Sequence, residues 1–176
     1  MANAEFQRNG WVKELDETNS GFLQMIGTFS PQEINRVPFP GSWTAGQVAE
    51  HIHKSDEGMI FLLTGPAKRE DREPDQFVEK IKEVFLNFNS RLNSPAFIIP
   101  QNKSYDKNLL LSRFETERTK ITDIIKTFDL SETCTARPFP GFGEITRLEV
   151  ASFIIYHTQR HLQQLHRIAK KVREKS

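Results

Sequence analysis

Apolar residues recur along this chain at the helical spacing of three and four, and hardly anywhere at the alternating spacing of a strand. The clearest stretch is residues 145–167, I-T-R-L-E-V-A-S-F-I-I-Y-H-T-Q-R-H-L-Q-Q-L-H-R, which predicts one long amphipathic helix. Residues 4–29 predict a first helix through Phe6, Leu15, Phe22, Leu23, Ile26 and Phe29. Gly10 and Gly21 weaken it locally, and Ser30-Pro31 ends it. A second helix is expected over residues 44–63. A shorter one is expected over 75–92, carrying Phe77, Ile81, Val84, Phe85 and Phe88. Ser104 is expected to cap a further long helix reaching Phe128, with Leu110, Phe114, Ile121, Ile124 and Ile125 inward. The stretches between, 65–75 and 93–102, are polar or proline-broken and read as loops. Phe97 to Ile99 is too short to count as a strand.

Two helix starts are marked by the same chemistry. Thr44 with Gln47, and Thr146 with Glu149, match the capping box, in which hydroxyl and N3 side chain satisfy backbone donors reciprocally. Trp43 with Val48, and Ile145 with Val150, occupy the flanking hydrophobic-staple positions. The tetrapeptide P-F-P-G precedes both, at residues 38–41 and 138–141. The chain therefore reads as two matching halves joined by a long middle connection. That connection lets the second and third long helices run parallel, giving an all-α four-helix bundle with a crossover that carries the short helix. Its 176 residues suit one domain.

Composition narrows the classes. The net charge of +1 gives no electrostatic reason to expect nucleic acid. No apolar run is long enough for a transmembrane span, and the first ten residues lack a signal core, so no membrane association and a cytoplasmic location are expected. The single cysteine, Cys134, excludes an internal disulfide and a cysteine-based zinc site. It is expected in a loop, without a catalytic role. The basic run near the C-terminus complements the dipole of the last helix.

Candidate chemistry lies on the inner stripes. With about 100° per residue, His161 sits about 40° round from His157, and Gln164 about 20° the other way. Val150, Ile154 and Ile168 share that face. On the second helix, Thr44, Gln47, Val48, His51, Ser55, Gly58, Met59 and Leu62 form one stripe, with His51 its only ionisable member. His53 falls about 200° away and reads as a surface residue, and Glu50, about 100° from His51, as exposed and solvated. The small Ser55 and Gly58 leave room for a pocket beside His51, or simply permit close packing. His51, His157 and His161 thus form a candidate metal triad, with Gln164 behind it as a positioning partner. Three protein ligands leave positions open for water or substrate, the catalytic rather than the structural pattern. The alternative is a bundle whose histidines hydrogen-bond one another or a buried water.

The segments W-T-A-G-Q-V-A-E-H at residues 43–51 and P-F-P-G-F-G-E-I-T-R-L-E-V-A-S-F-I-I-Y-H-T-Q-R-H-L-Q-Q-L at 138–165 resemble the DinB-like superfamily. There a W-[ST]-x-x-Q-x-x-x-H segment supplies one histidine, and an F-G-x-[LI]-T segment followed by H-x-x-x-H-x-x-Q supplies two. They match at His51, His157, His161 and Gln164. The resemblance implies an up-down-down-up four-helix bundle, a divalent transition metal (zinc or nickel), and a homodimer. It also implies a small-molecule substrate, since some relatives transfer low-molecular-weight thiols and others are described only as metal-dependent hydrolases. Phe139 stands where many members carry histidine, in a loop expected to shape the pocket mouth.

The leading expectation is an enzyme in which a metal activates a thiol for S-transfer, or water for hydrolysis. No catalytic residue beyond the ligands stands out. The competing expectation is a non-catalytic, stress-associated metal-binding dimer. Near-zero net charge argues against a DNA-associated protein.

Overall fold

The computed structural model describes residues 2–174, with side chains from residue 8 onward. Five helices carry the fold: α1 (Ala2–Gly27), α2 (Ala45–Thr64), α3 (Val78–Leu86), α4 (Lys107–Thr127) and α5 (Arg147–Arg173). Two-residue strands β1 (Ala67–Lys68) and β2 (Thr133–Cys134) pair antiparallel, Ala67 opposite Cys134. Phe6 and Lys175, expected on the first helix core and in the basic C-terminal run, lie outside the described side chains.

α1 and α2 each pack against both α4 and α5, so α1 faces α2 across one diagonal of the bundle. α3 lies outside, against α5. Directions follow from the two halves of the core. One apolar cluster joins Phe22 and Ile26 late in α1, Val48 and Ile52 early in α2, Leu110 and Phe114 early in α4, and Leu165 and Ile168 late in α5. The other joins Leu15 from earlier in α1, Leu62 from late α2, Ile121 and Ile125 from late α4, and Val150 and Ile154 from early α5. The order is therefore up, down, down, up, with residues 65–106 crossing back between α2 and α4. Each fully buried Leu, Ile or Phe side chain in these clusters contributes about 2 kcal/mol of transfer free energy.

Between the two clusters lies a polar layer. Arg118 of α4 is buried at 3 % exposure. Its Nε donates to Asp56 Oδ2 of α2 at 2.8 Å, and its Nη2 to Asp56 Oδ1 at 3.1 Å and Thr158 Oγ1 of α5 at 2.7 Å. Its Nη1 donates to Asn19 Oδ1 of α1 at 3.2 Å. One guanidinium thus touches the other three bundle helices. Burial pushes the Asp56 carboxyl up to about 6, with Arg118 opposing the shift. The sequence reading assigned neither residue a role.

Both capping boxes form. Glu149 does more than cap α5. Its fully buried carboxylate also accepts from Arg72 at 2.9 and 2.7 Å and from the Phe77 amide at 2.8 Å, pinning the crossover to the start of α5. In both P-F-P-G turns the glycine has positive φ, 76° at Gly41 and 81° at Gly141, where a side chain would be strained.

Four expectations are corrected. The cap of α4 is Asp106, whose Oδ1 accepts from the Leu109 amide at 2.8 Å, because the chain is not yet helical at Ser104 and Asp106 itself is extended. α3 is shorter than residues 75–92. Its first turn begins only after Phe77 is held by Glu149, and Arg160 draws off the carbonyls of Phe85, Asn87 and Ser90 at its end. Cys134 lies in a strand rather than a loop and is buried, and burial pushes its thiol up to about 11. Glu50 is buried rather than solvated, at 7 % exposure, because α4 covers that side of α2 and brings Arg113 to 3.8 Å from it.

Replacing Arg118 by methionine strands the Asp56 carboxylate in the polar layer and is expected to cost about 3–5 kcal/mol in urea unfolding. The double change Arg118→Met with Asp56→Leu should recover most of that loss, because no unpaired charge is left buried.

Candidate metal centre

The capping box at Thr44 fixes the rotation of α2 and aims His51 at α5. From α5, His157 and His161, four residues apart, point back. All three are buried, at 1 %, 6 % and 7 % exposure. His157 Nε2 lies 3.1 Å from His51 Nε2 and 3.0 Å from His161 Nε2, so the three Nε2 atoms converge.

The outward nitrogens decide the tautomers. His51 Nδ1 lies 3.0 Å from the carbonyl of Ile98, which can only accept, so Nδ1 carries the hydrogen. His161 Nδ1 lies 2.8 Å from Gln164 Oε1 and donates to it. In a neutral ring the opposite nitrogen is then a bare lone pair. Two inward Nε2 atoms are therefore acceptors, and His157 has at most one Nε2 hydrogen to offer between them.

Protonation does not resolve this near neutral pH. Burial, then the charges of His161 and His51, hold His157 well below its ordinary value. Burial, then His51, lowers His161 to about 3. Burial lowers His51, against the Ile98 carbonyl. Three neutral imidazoles, two of them with lone pairs already turned inward, suit a divalent transition metal. Ligands about 2.0 Å from a tetrahedral ion stand about 3.3 Å apart, within a few tenths of an ångström of the separations here.

Phe153 stacks on His157 with ring centroids 4.9 Å apart and planes at 16°, and Trp43 tilts against His51 at 5.0 Å. A cavity of about 560 Å³ opens on the trio, walled by Phe85, Phe97, Phe139, Phe142 and Phe153. Ser55 and Gly58 line it, and so do all three histidines. Arg137 Nη2 donates to the Gly58 carbonyl at 3.2 Å. A Cβ on residue 58 would stand 2.7 Å from that nitrogen, so the missing side chain lets Arg137 lie across α2. Phe139, in the second P-F-P-G turn, is buried in the wall against Phe153, at a centroid distance of 4.8 Å.

His53 departs from expectation. Its side chain is only 18 % exposed and Nδ1 lies 2.5 Å from Glu117 Oε1 on α4, since α4 packs where solvent was expected. That bond to Glu117 raises its pKa, opposite to the trio. Two contributors escaped the sequence reading. The Ile98 carbonyl belongs to an irregular segment and carries no side-chain signal. Arg160, one residue from His161, ties the end of α3 over the centre, and its only sequence mark is a charge at the edge of the inner stripe.

The sequence model of the DinB superfamily matches residues 14–165. The chain belongs to the DinB superfamily. Within it, the chain is 24 % identical over 143 residues to the uncharacterized protein YuaE of Bacillus subtilis (strain 168), covering 81 % of this chain and 87 % of that one. Among solved structures, the fold matches TT2238, a four-helix bundle protein, with a TM-score of 0.59 and 17 % identity over 91 % of this chain and 98 % of the other. It also matches YfiT from Bacillus subtilis, described as a probable metal-dependent hydrolase with an unusual four-helix bundle topology. That TM-score is 0.61 at 14 % identity, over 94 % and 87 % of the two chains. At these identities the two structures speak for the DinB fold alone.

The trio predicts a pH dependence for the metal-free protein. Its folded-state pKa values lie below the unfolded value near 6.5, so as pH falls through about 6.5 the unfolded state takes up protons first and stability drops. The loss continues toward pH of about 3, where His161 itself protonates. His53 runs the other way, its raised pKa favouring the fold below about 6.5. Urea midpoints of wild type and His161→Gln, measured from about pH 7.5 to 5, should therefore diverge, with the flatter profile in the variant.

Proposed function

We propose that this chain is a metal-dependent enzyme in which His51, His157 and His161 hold one divalent transition metal, zinc or nickel. The observation that carries the reading is the convergence of three neutral Nε2 atoms on the wall of a cavity large enough for a small molecule. Held there, a metal would supply a nucleophile at neutral pH by lowering the pKa of a bound water or thiol.

The chain's own residues set the conditions. The Ile98 carbonyl and Gln164 hold two rings with their lone pairs inward. The phenylalanine walls offer an apolar surface to substrate. No Asp or Glu lines the cavity among the described residues, so no carboxylate stands ready to take a proton from an attacking water. A thiol with a lowered pKa needs no such base, which favours transfer of a low-molecular-weight thiol to an electrophile. Hydrolysis is the second reading, favoured by the description of YfiT. A purely structural metal bundle needs neither the cavity nor an open ligand set.

Elemental analysis of tag-free protein is expected to find about one zinc or nickel per chain, and none in His51→Ala or His157→Ala. Retention of the ion by both variants, or a wild type that stays empty after reconstitution, would refute the site. Gln164→Ala should keep the ion but bind it about tenfold to a hundredfold more weakly in chelator competition, because His161 loses the partner that fixes its tautomer.

A further inference from the structure

The chain is nearly electroneutral, with 24 basic and 23 acidic residues, yet the surroundings of the trio are not. A second cavity, of about 890 Å³, lies on the other side of His161. The two cavities share Leu92 to Ser94, Arg160 and His161 in their walls. Together they are lined by Lys54, Lys80, Arg91, Arg137, Arg160 and Arg167, and by no Asp or Glu among the described residues. The first cavity is mostly apolar, with five phenylalanines in its wall, and the second is the more polar of the two, with Ser42, Asn93, Gln163 and Gln164 in its wall.

Among the described residues none of these cations is paired with a carboxylate. Lys54 Nζ donates to the carbonyl of Ile99 at 2.8 Å, and Arg137 to that of Gly58. The Nη atoms of Arg160 go to three carbonyls. Those partners are dipoles without net charge. Arg160 is lowered first by burial and then by the positive charge of Arg167, so these two guanidiniums repel across the polar cavity. Uncompensated cations converging on a cleft focus a field that favours an anion, and guanidinium suits carboxylate and phosphate-type oxygens.

We propose that the small molecule acted on here is an anion, its acidic group held in the polar cavity by Arg167 with Arg160 and its apolar part lying past His161 in the phenylalanine cavity. This names the substrate class of the site and so rests on the reading above. The two P-F-P-G turns take matching places in it. The first, through Phe39 to Gly41, lines the anion end, and the second, through Pro138 to Gly141, lines the apolar end.

The test uses the full chain, with zinc added and after zinc removal. Its probes are anilinonaphthalene sulfonate and its uncharged parent phenylnaphthylamine, read by fluorescence. The sulfonate should bind wild type about tenfold more tightly than the parent, the scale of one charged hydrogen bond. Arg167→Gln should weaken the sulfonate about tenfold and leave the parent unchanged, and Arg167→Lys should restore most of the difference. Equal affinities for the two probes in wild type, an equal loss of both in Arg167→Gln, or no loss at all would overturn the proposal. Metal content is read separately on the same samples. A wild type that takes up no zinc when zinc is added, yet discriminates the probes, sinks the metal reading alone, and a zinc-loaded wild type that does not discriminate them sinks the anion reading alone.

Discussion

Arg118 is a full positive charge placed where four helices meet, and the bundle is arranged so that each of the other three answers it. Asn19, Asp56 and Thr158 come from α1, α2 and α5. A buried guanidinium tolerates little displacement, since each lost partner leaves a desolvated donor unpaired. The contact therefore sets the vertical register of the helices as well as their rotation. Thr158 adjoins His157, and Asp56 lies five residues beyond His51. The register fixed by Arg118 is thus the register at which the three Nε2 atoms meet.

That meeting is unfavourable to the bare protein. Two lone pairs and at most one hydrogen share a space about 3 Å across, and burial keeps protons away near neutral pH. The apolar clusters on either side supply the stability that tolerates it. A fold that conceded nothing to function would place leucines at 51, 157 and 161. The bundle buries three imidazoles instead, and the Ile98 carbonyl and Gln164 hold two of the rings with their lone pairs inward.

Much of this is legible in the chain because it is local. Helix positions, both capping boxes and the inward stripe are set by residues within a few places of one another, so His51, His157, His161 and Gln164 stand out by spacing. What failed depends on neighbours distant in sequence. Glu50 and His53 look outward from α2 only until α4 is laid against it, and Glu117 and Arg113 are 64 and 63 residues away from their respective partners. Arg118 was visible as a charge between Phe114 and Ile121 on a core face, but nothing local says that Asp56 and Asn19 will receive it. The Ile98 carbonyl carries no side-chain signal at all.

The asymmetry of the two chamber ends follows from what each half of the repeat does next. After Gly41 the chain enters α2 beside the late turns of α5, where the exposed surface is polar and carries Gln163 and Arg167. After Gly141 it enters α5 beside α3, whose Phe85 packs at 4.9 Å from Phe153 and gives the other end an apolar wall. One turn motif, used twice, therefore frames two different environments on opposite sides of His161. A ligand bearing both an acidic and an apolar part has one orientation that satisfies both ends, and that orientation carries it past His161, the histidine of the trio that lines both cavities.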